Sequence, residues 1–386
     1  MIPYSKQNIS ESDIDAVVEV LRSDFLTQGD KVPEFEEKVA DYCNSKFAIA
    51  ANSATSCLHL ACMALQLKKG DILWTSPNSF VASANCGLYC GSKVDFVDID
   101  KKTHNMCPIK LEEKLKLAKK RGNLPKIVIP VHFAGQSCDM KAISKLSKKY
   151  GFRIIEDASH AIGGEYLNKK IGNCEFSDMA VFSFHPVKIL TTGEGGMVTT
   201  NNENLYSKLN LLRTHGISKD LQRKGDLSTW LYEQQELGYN YRLSDIHAAL
   251  GISQLTRIDS SIKRRHDILN FYEKNLDISN ITLPFQSIDS YSSLHLYPIE
   301  LEVEKINRSK EHIFDQLRKK RLGVNVHYIP IHFHPYFKKL GFKEGDFPNA
   351  EDYYNRTISI PMFPDLKEKE LIAISKIIKE VVHDNC

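Results

Sequence analysis

Apolar residues recur along the chain with two periods, one typical of helices and one of buried strands. Over residues 11–22 the apolar positions follow helical spacing, at Ile14, Val17, Val18 and Leu21. The same spacing predicts helices over residues 32–43, 52–67 and 139–151, and near 310–321 and 367–382. Apolar runs over 126–135, 152–155 and 179–186 predict strands, and shorter strand signals lie near 71–75, 93–100 and 195–202.

The order of these elements predicts an α/β fold. Strand, helix and strand follow one another at 126–135, 139–151 and 152–155, a spacing that indicates parallel pairing. We therefore expect a mostly parallel central sheet with helices on both faces. Beyond residue 257 a long helix, strands over 291–301 and 322–332, and two further helices predict a smaller C-terminal α+β domain. The expected domains are residues 1–255 and 256–386.

The amino-acid composition indicates which binding partners and which cellular compartment to expect. Lys and Arg total 51 against 48 Asp and Glu, a formal net charge of +3, so neither nucleic acid nor an anionic membrane is expected to bind. The nine cysteines are odd in number and form no C-x-x-C pair, which favours a reducing compartment. The N-terminus lacks a signal-peptide pattern, and no apolar window is long enough to span a membrane. We expect a cytoplasmic protein.

Polar side chains that could carry chemistry follow the predicted strands. Asp157 comes after one buried run, Ser183 and Lys188 after the next, and residues 54–56 open the helix that follows a strand at residues 47–50. In open α/β sheets ligands bind at such carboxyl ends. The helix start could bind an anion or could be an ordinary N-cap. Asp157 and Lys188 could serve catalysis or form a buried salt bridge.

Together these three sites match one small molecule. A phosphate suits the helix start, a protonated pyridine nitrogen suits the Asp157 carboxylate, and an aldehyde suits the Lys188 amine as a Schiff base. Pyridoxal 5′-phosphate carries all three groups. The glycines that follow Lys188 would let the backbone turn close to the cofactor.

Three histidines, His327, His332 and His334, raise the question of a metal site. On the predicted strand, residues 332 and 334 share one face and residue 327 points to the other, and Pro330 interrupts the pattern. We therefore expect no metal site and assign His327 to substrate. Arg213 and Arg242 could contact phosphate or carboxylate groups, or form structural ion pairs.

Several stretches in a fixed order resemble the DegT/DnrJ/EryC1/StrS family of sugar-nucleotide aminotransferases, which have the aspartate-aminotransferase-like fold (PLP fold type I). They are FLTQG (25–29), NSATSCLHLA (52–61), TSPNSFVASAN (75–85), EDASHAIGG (156–164), SFHPVKILTTGEGG (183–196), LGYNYRLSD (237–245) and VHYIPIH (326–332). The resemblance covers essentially the whole chain. Because a lysine stands at residue 188, where dehydrating relatives have histidine, it implies transamination.

The resemblance also implies roles for single residues. Lys188 would form the Schiff base, Asp157 would pair with the pyridinium, and Phe80 would stack on the ring. His160, where the family usually has Gln, would lie near the phenolic oxygen of the cofactor. The phosphate would be held by Ala54, Thr55 and Ser183, with Asn240 reaching in from the second subunit of a homodimer.

The opening 29 residues resemble the branch of the family that serves pseudaminic acid (flagellin glycan) synthesis. That branch uses L-glutamate to aminate C4 of a UDP-linked 4-keto-2-acetamido-2,6-dideoxy-L-hexose. The implied substrate contacts are Tyr4, Asp24, Phe25, Leu26, Thr27, Asn325, Val326, His327 and Tyr328. Alternatives are a D-configured 4-keto or a 3-keto nucleotide sugar as substrate, different PLP chemistry, and a non-enzymatic sugar-nucleotide sensor.

Overall fold

A seven-stranded sheet lies at the centre of the structure. The structure is a computed structural model and describes residues 1–218, 230–306 and 308–383. The strands are β1 (Phe47–Ala51), β2 (Ile72–Thr75), β3 (Lys93–Phe96), β4 (Ile127–Ile129), β5 (Arg153–Asp157), β6 (Glu165–Tyr166), β7 (Lys169–Lys170), β8 (Met179–Ser183), β9 (Gly196–Thr200), β10 (Ile217–Ser218), β11 (Glu233–Gln234), β12 (Ile281–Thr282), β13 (Ser290–Tyr291), β14 (Tyr297–Leu301) and β15 (Thr357–Ile360). The central sheet has the order β1-β9-β8-β5-β4-β2-β3.

The helices of the described residues cover the sheet and build the C-terminal part. They are α1 (Glu11–Leu21), α2 (Lys31–Cys43), α3 (Ala54–Ala64), α4 (Ala82–Tyr89), α5 (Pro108–Arg121), α6 (Met140–Tyr150), α7 (Glu203–Arg213), α8 (Asp245–Leu255), α9 (Ile258–Asn275), α10 (Val303–Ile306), α11 (Lys310–Lys319), α12 (Pro335–Lys339), α13 (Pro348–Arg356) and α14 (Glu368–His383). None of these helices has the length and apolar character needed to cross a membrane.

The central sheet is mostly parallel, as the sequence predicts. Strands β8, β5, β4, β2 and β3 pair in parallel, and β9 pairs antiparallel with both β8 and β1. Successive residues of β8 pack on opposite sides, because side chains alternate along a strand. Val181 joins the core that contains Leu58 of α3, and Phe182 joins the core that contains Phe35 of α2. Helices therefore cover both faces, which confirms the predicted α/β class.

The C-terminal part has its own apolar core. Strands β12, β14 and β15 form an antiparallel sheet, and the buried residues of this core run from Ile268 to Val382. Helices α9, α11 and α14 pack together around it. The domain boundary at residue 255 stays a prediction.

Two predicted strands differ from the structure. Residues 322–332 form no strand: Leu322 and Asn325 each make one isolated bridge, and a 3-10 turn follows at Ile331–Phe333. Asn325 turns its side-chain oxygen onto the amide of Val326, and Pro330 has no N–H to donate, so a continuous ladder cannot form. The predicted strand over 291–301 splits into β13 and β14, which leaves residues 292–296 outside both sheets.

The N-terminal helix α1 is fixed by one buried carboxylate. Asp13 is fully buried and accepts hydrogen bonds from Arg257 Nη1 at 2.9 Å, Ser253 Oγ at 2.6 Å and Gln254 Nε2 at 2.7 Å. Burial disfavours its charge, but the hydrogen bonds from Arg257, Ser10 and the other donors outweigh this and lower the pKa of Asp13 to about 2. This network holds the N-terminal segment, which carries Tyr4, against α8 and α9.

Replacing Asp13 should therefore destabilise the fold. We expect Asp13→Asn to lower the free energy of unfolding by about 3 kcal/mol, the lower end for removing one partner of a buried ion pair. The exposed Asp15→Asn on the same helix is the control and should change it little. Because the folded pKa is depressed, the stabilisation is present above the ordinary carboxyl pKa and is lost as pH falls toward 2.

Denaturant titrations of the two variants and the parent chain at several pH values measure this effect. The gap between the parent and Asp13→Asn should narrow between about pH 4 and pH 2. A gap that does not depend on pH would show that the charge of Asp13 is not what stabilises the fold.

Candidate active site

A cavity of about 330 Å³ opens at the carboxyl ends of β5 and β8. The structure brings ten of the residues predicted from sequence to its wall. They are Tyr4, Ala54, Thr55, Phe80, Asp157, His160, Ser183, Lys188, His327 and Tyr328. Residues far apart in sequence therefore meet where the parallel strands end, as the topology of an open α/β sheet requires.

The start of helix α3 forms one end of this cavity. Ser53 is the N-cap, and its hydroxyl accepts a hydrogen bond from Ser56 N at 3.1 Å, so Ala54 and Thr55 begin the helix at the cavity wall. Strand β9 runs directly behind: a Cβ on Gly196 would lie 2.6 Å from Ala54 N. Only glycine permits this approach. The positive end of the helix dipole favours an anion at this position.

Asp157 ends β5 with its carboxylate buried among neutral donors. Its Oδ2 accepts from Ser83 Oγ at 2.6 Å, and its Oδ1 accepts from Ser159 N at 3.2 Å. Ser83 is in turn 2.7 Å from Ser79 Oγ. Sequence reasoning missed Ser83 as a site residue, although it lies within the stretch TSPNSFVASAN. Both donors are uncharged, so the Asp157 carboxylate has hydrogen-bond partners but no cationic partner among the described residues.

Lys188 does not neutralise Asp157. Both side chains are described, and no ion pair joins them; the polar contact of Lys188 Nζ is His295 Nε2 at 3.5 Å. The buried salt bridge that the sequence left open is therefore not formed. Burial lowers the pKa of Lys188 to about 8, against the opposing charge of Asp157. A larger fraction of this amine is therefore uncharged near neutral pH than of an ordinary lysine.

Three buried histidines surround this lysine. His160 Nε2 lies 2.9 Å from the hydroxyl of Tyr328, and its ring centre lies 4.4 Å from that of His295. His327 Nδ1 lies 2.8 Å from Ser359 Oγ. Burial, together with the charge of Lys188, lowers the pKa of all three histidines. They therefore remain uncharged, and the amine lies among neutral groups.

Some predicted residues lie outside the cavity. The segment 24–27 is exposed, and Asn325 and Val326 precede the residues that line the wall. Asn240 is exposed and pairs its backbone with Thr214, away from the cavity of its own chain.

Other polar candidates have structural partners. Arg213 is ion-paired with Glu36 and donates to Ala50 O at 2.8 Å, whereas Arg242 does not line the cavity. His332 Nε2 lies 2.9 Å from Glu351 Oε1. Within the described residues no group of three or more His, Cys, Asp or Glu side chains is arranged to hold a metal ion.

Comparison with known proteins gives one family over almost the whole chain. Residues 7–379 match the DegT/DnrJ/EryC1/StrS aminotransferase family. The chain is 43% identical over 383 residues to the UDP-4-amino-4,6-dideoxy-N-acetyl-beta-L-altrosamine transaminase of Campylobacter jejuni, a match that covers 99% of this chain and 96% of the relative.

Solved structures agree with this match. Helicobacter pylori PseC, an aminotransferase involved in the biosynthesis of pseudoaminic acid, superposes with a TM-score of 0.90 at 34% identity and covers 99% of both chains. Spr1654 of Streptococcus pneumoniae in its PMP form gives a TM-score of 0.90 at 30% identity and 99% coverage of both chains. The chain therefore belongs to the DegT/DnrJ/EryC1/StrS aminotransferase family and is a pyridoxal-phosphate-dependent sugar aminotransferase of fold type I.

Proposed function

We propose that this enzyme transfers an amino group from L-glutamate to C4 of a UDP-linked 4-keto-2-acetamido-2,6-dideoxy-L-hexose, a step in the synthesis of pseudaminic acid for flagellin glycans. The observation that carries the proposal is the placement, in one cavity, of an amine and a carboxylate that form no ion pair with each other. The Lys188 amine has a lowered pKa, and the Asp157 carboxylate has no cationic partner among the described residues.

The residues of the cavity fit pyridoxal phosphate. Gly196 brings the start of α3 to the wall, where Ala54, Thr55 and Ser183 offer amide and hydroxyl donors for a phosphate. Phe80 lines the cavity with 60% of its surface exposed, which leaves a ring face free to stack on the cofactor. We assign these residues to the cofactor, with Asn240 acting from the second subunit of a homodimer.

Asp157 and Lys188 carry the chemistry. Bound pyridoxal phosphate supplies an electron sink for the carbon that loses its proton. Asp157 would hold a proton on the ring nitrogen of the bound cofactor, because its carboxylate accepts only from neutral groups and has no other cationic partner among the described residues. Lys188 takes the α-proton of glutamate and later delivers a proton to C4 of the sugar. A general base of this kind contributes on the order of 10²–10⁴ in rate.

His160 and Tyr328 complete the wall beside the amine. The Tyr328 hydroxyl and His160 Nε2 are hydrogen-bonded, and burial raises the pKa of Tyr328. A neutral His160 can donate one hydrogen bond to the phenolic oxygen of the cofactor, the role that the family usually gives to Gln. Because His160 is buried, water screens its polar contacts less than it would at the surface, and these contacts are stronger.

Tyr4 and His327 are assigned to the sugar. Both line the cavity, and their ring centres lie 5.7 Å apart. The altrosamine transaminase is 43% identical to this chain in an alignment that covers 99% of it, and this similarity supports the same class of UDP-sugar here. The remaining substrate contacts, at Asp24, Phe25, Leu26, Thr27, Asn325 and Val326, stay predictions, since these residues lie outside the cavity of the single chain.

A reducing compartment suits the cysteines of this enzyme. The eight cysteines in the described residues are free thiols, and six of them are buried; Cys386 lies outside the described part. Buried free thiols persist where disulfides do not form. We therefore place the enzyme in the cytoplasm.

Removal of the lysine amine tests the mechanism. Lys188→Ala should abolish amino transfer and still bind pyridoxal phosphate without a covalent bond, because the phosphate and ring contacts remain. The exposed Lys116→Ala is the control and should retain parental turnover. Discontinuous assays of 2-oxoglutarate release measure amino transfer, and equilibrium dialysis measures the binding of the cofactor. Normal turnover by Lys188→Ala would contradict the assignment.

The lowered pKa of Lys188 predicts how cofactor attachment depends on pH. Only the uncharged amine reacts with an aldehyde, so the rate of covalent attachment to cofactor-free enzyme should rise as pH increases through about 8. With an ordinary lysine, whose pKa is 10.5, the rate would still be rising well above that pH. Rates measured by absorbance between about pH 6 and 11 separate the two cases, since this range spans both pKa values.

The substrate assignment needs a comparison of sugars. With glutamate as donor, the L-configured UDP-4-keto sugar should give an amine at C4, detected by NMR of the product, with the highest kcat/KM. The D-configured 4-keto epimer and a 3-keto sugar nucleotide are the matched alternatives. A higher kcat/KM for either would replace the proposed substrate and leave the aminotransferase class intact. Binding of all three sugars without turnover would contradict the proposed reaction and favour the alternative of a non-enzymatic sugar-nucleotide sensor.

A further inference from the structure

Residues 292–296 carry a histidine to the back of the active site. This segment joins β13, which pairs with β6 beside the large sheet, to β14 of the C-terminal sheet. His295 within it is 2% exposed and does not line the cavity, yet its Nε2 lies 3.5 Å from Lys188 Nζ. A residue from the C-terminal part therefore contacts the reactive amine from behind.

The backbone before His295 is held in an unusual conformation. Leu294 is buried and has a φ of +53°, in the left-handed region that branched side chains rarely adopt. Its amide donates to Ser292 Oγ at 3.1 Å, and its carbonyl accepts from Arg265 Nη1 at 3.0 Å. Such outliers persist only where surrounding contacts impose them, and they concentrate at functional sites.

Arg265 supplies the contact that imposes this conformation. The side chain is 2% exposed, and its Nη1 donates to the carbonyls of Leu294 and Met362, at 3.0 and 2.9 Å. No carboxylate among the described residues forms an ion pair with it. Burying an arginine without a counter-charge is costly. Arg265 therefore contacts the 292–296 segment through carbonyl acceptors and not through an ion pair.

The His295 ring lies in a setting that keeps it uncharged. Burial lowers its pKa, as do the positive charge of Lys188 and the nearby His160, Arg265 and His327. Its Nδ1 is buried and has no partner among the described residues. An ammonium group can only donate hydrogen bonds. The neutral ring therefore presents Nε2 as the acceptor for Lys188 and keeps its proton on Nδ1.

We propose that His295 is a positioning residue for Lys188, whose Nε2 accepts a hydrogen bond from the lysine amine whenever that amine is not covalently attached to the cofactor. Left-handed Leu294 and buried Arg265 aim the ring. The free amine makes no other hydrogen bond or ion pair among the described residues, so this bond keeps it directed at the reacting carbon instead of rotating freely. The catalytic role of the lysine rests on the proposed function; the contact itself does not.

The first test uses cofactor-free enzyme and no sugar. Competitive acetylation of Lys188 across about pH 6–11, read by mass spectrometry, gives the pKa of the amine. In His295→Leu this pKa should be lower than in the parent chain, because the ammonium has lost its acceptor. His295→Gln, whose amide oxygen reaches about as far as Nε2, should restore it. The exposed His312→Leu is the control.

Turnover gives the second readout. In His295→Leu we expect kcat to fall by about ten- to a hundred-fold, the usual effect of a misplaced reacting group, with KM for both substrates nearly unchanged. His295→Gln should recover most of the rate. Should the leucine variant fail to fold, His295→Asn replaces it, since its amide is polar but too short to reach Nζ.

Two results would overturn the proposal. One is a Lys188 titration that is the same in the parent chain and in the folded leucine or asparagine variant. The other is equal turnover by His295→Asn and His295→Gln, which would reduce His295 to a packing residue. Because the acetylation needs neither cofactor nor sugar, failure of the proposed substrate would leave its outcome unaffected.

Discussion

The active site depends on keeping one lysine amine among neutral groups while a carboxylate nearby stays free of any cation. Burial lowers the pKa of Lys188 and the charge of Asp157 raises it, so that the pKa lies at about 8. A direct ion pair would have fixed the proton on the amine and neutralised the carboxylate. In the structure the two groups have separate partners: Asp157 accepts a hydrogen bond from the Ser83 hydroxyl, and the Lys188 amine contacts the His295 ring.

The fold produces this separation through its topology. Parallel pairing of β5 with β8 places Asp157 and the residues after Ser183 at the same edge of the sheet. Antiparallel β9 returns beside β8 and, through Gly196, brings the start of α3 to the same edge. Residues 292–296 then enter from the C-terminal part. The cavity is therefore bounded by segments from both ends of the chain, including Tyr4 near the N-terminus.

The sequence predicted the parts of the site that follow strand ends. Asp157, Lys188 and the helix start at residue 54 could be found because strand periodicity fixes which residues reach the sheet edge. Ser83 and His295 could not be found in this way. Their partners lie 74 and 107 positions away, and neither contact follows a repeating pattern. The prediction of a strand over 322–332 was wrong because the Asn325 side chain accepts from the Val326 amide, and because Pro330 has no amide hydrogen to donate to a ladder.

An absorption spectrum of the purified enzyme, taken before and after borohydride reduction and followed by peptide mapping, tests the central claim most directly. We expect a visible band that reduction removes, with the label on Lys188 and on no other lysine. An enzyme that stays colourless and unlabelled after addition of pyridoxal phosphate, or that carries the label at another lysine, would contradict the account of this cavity.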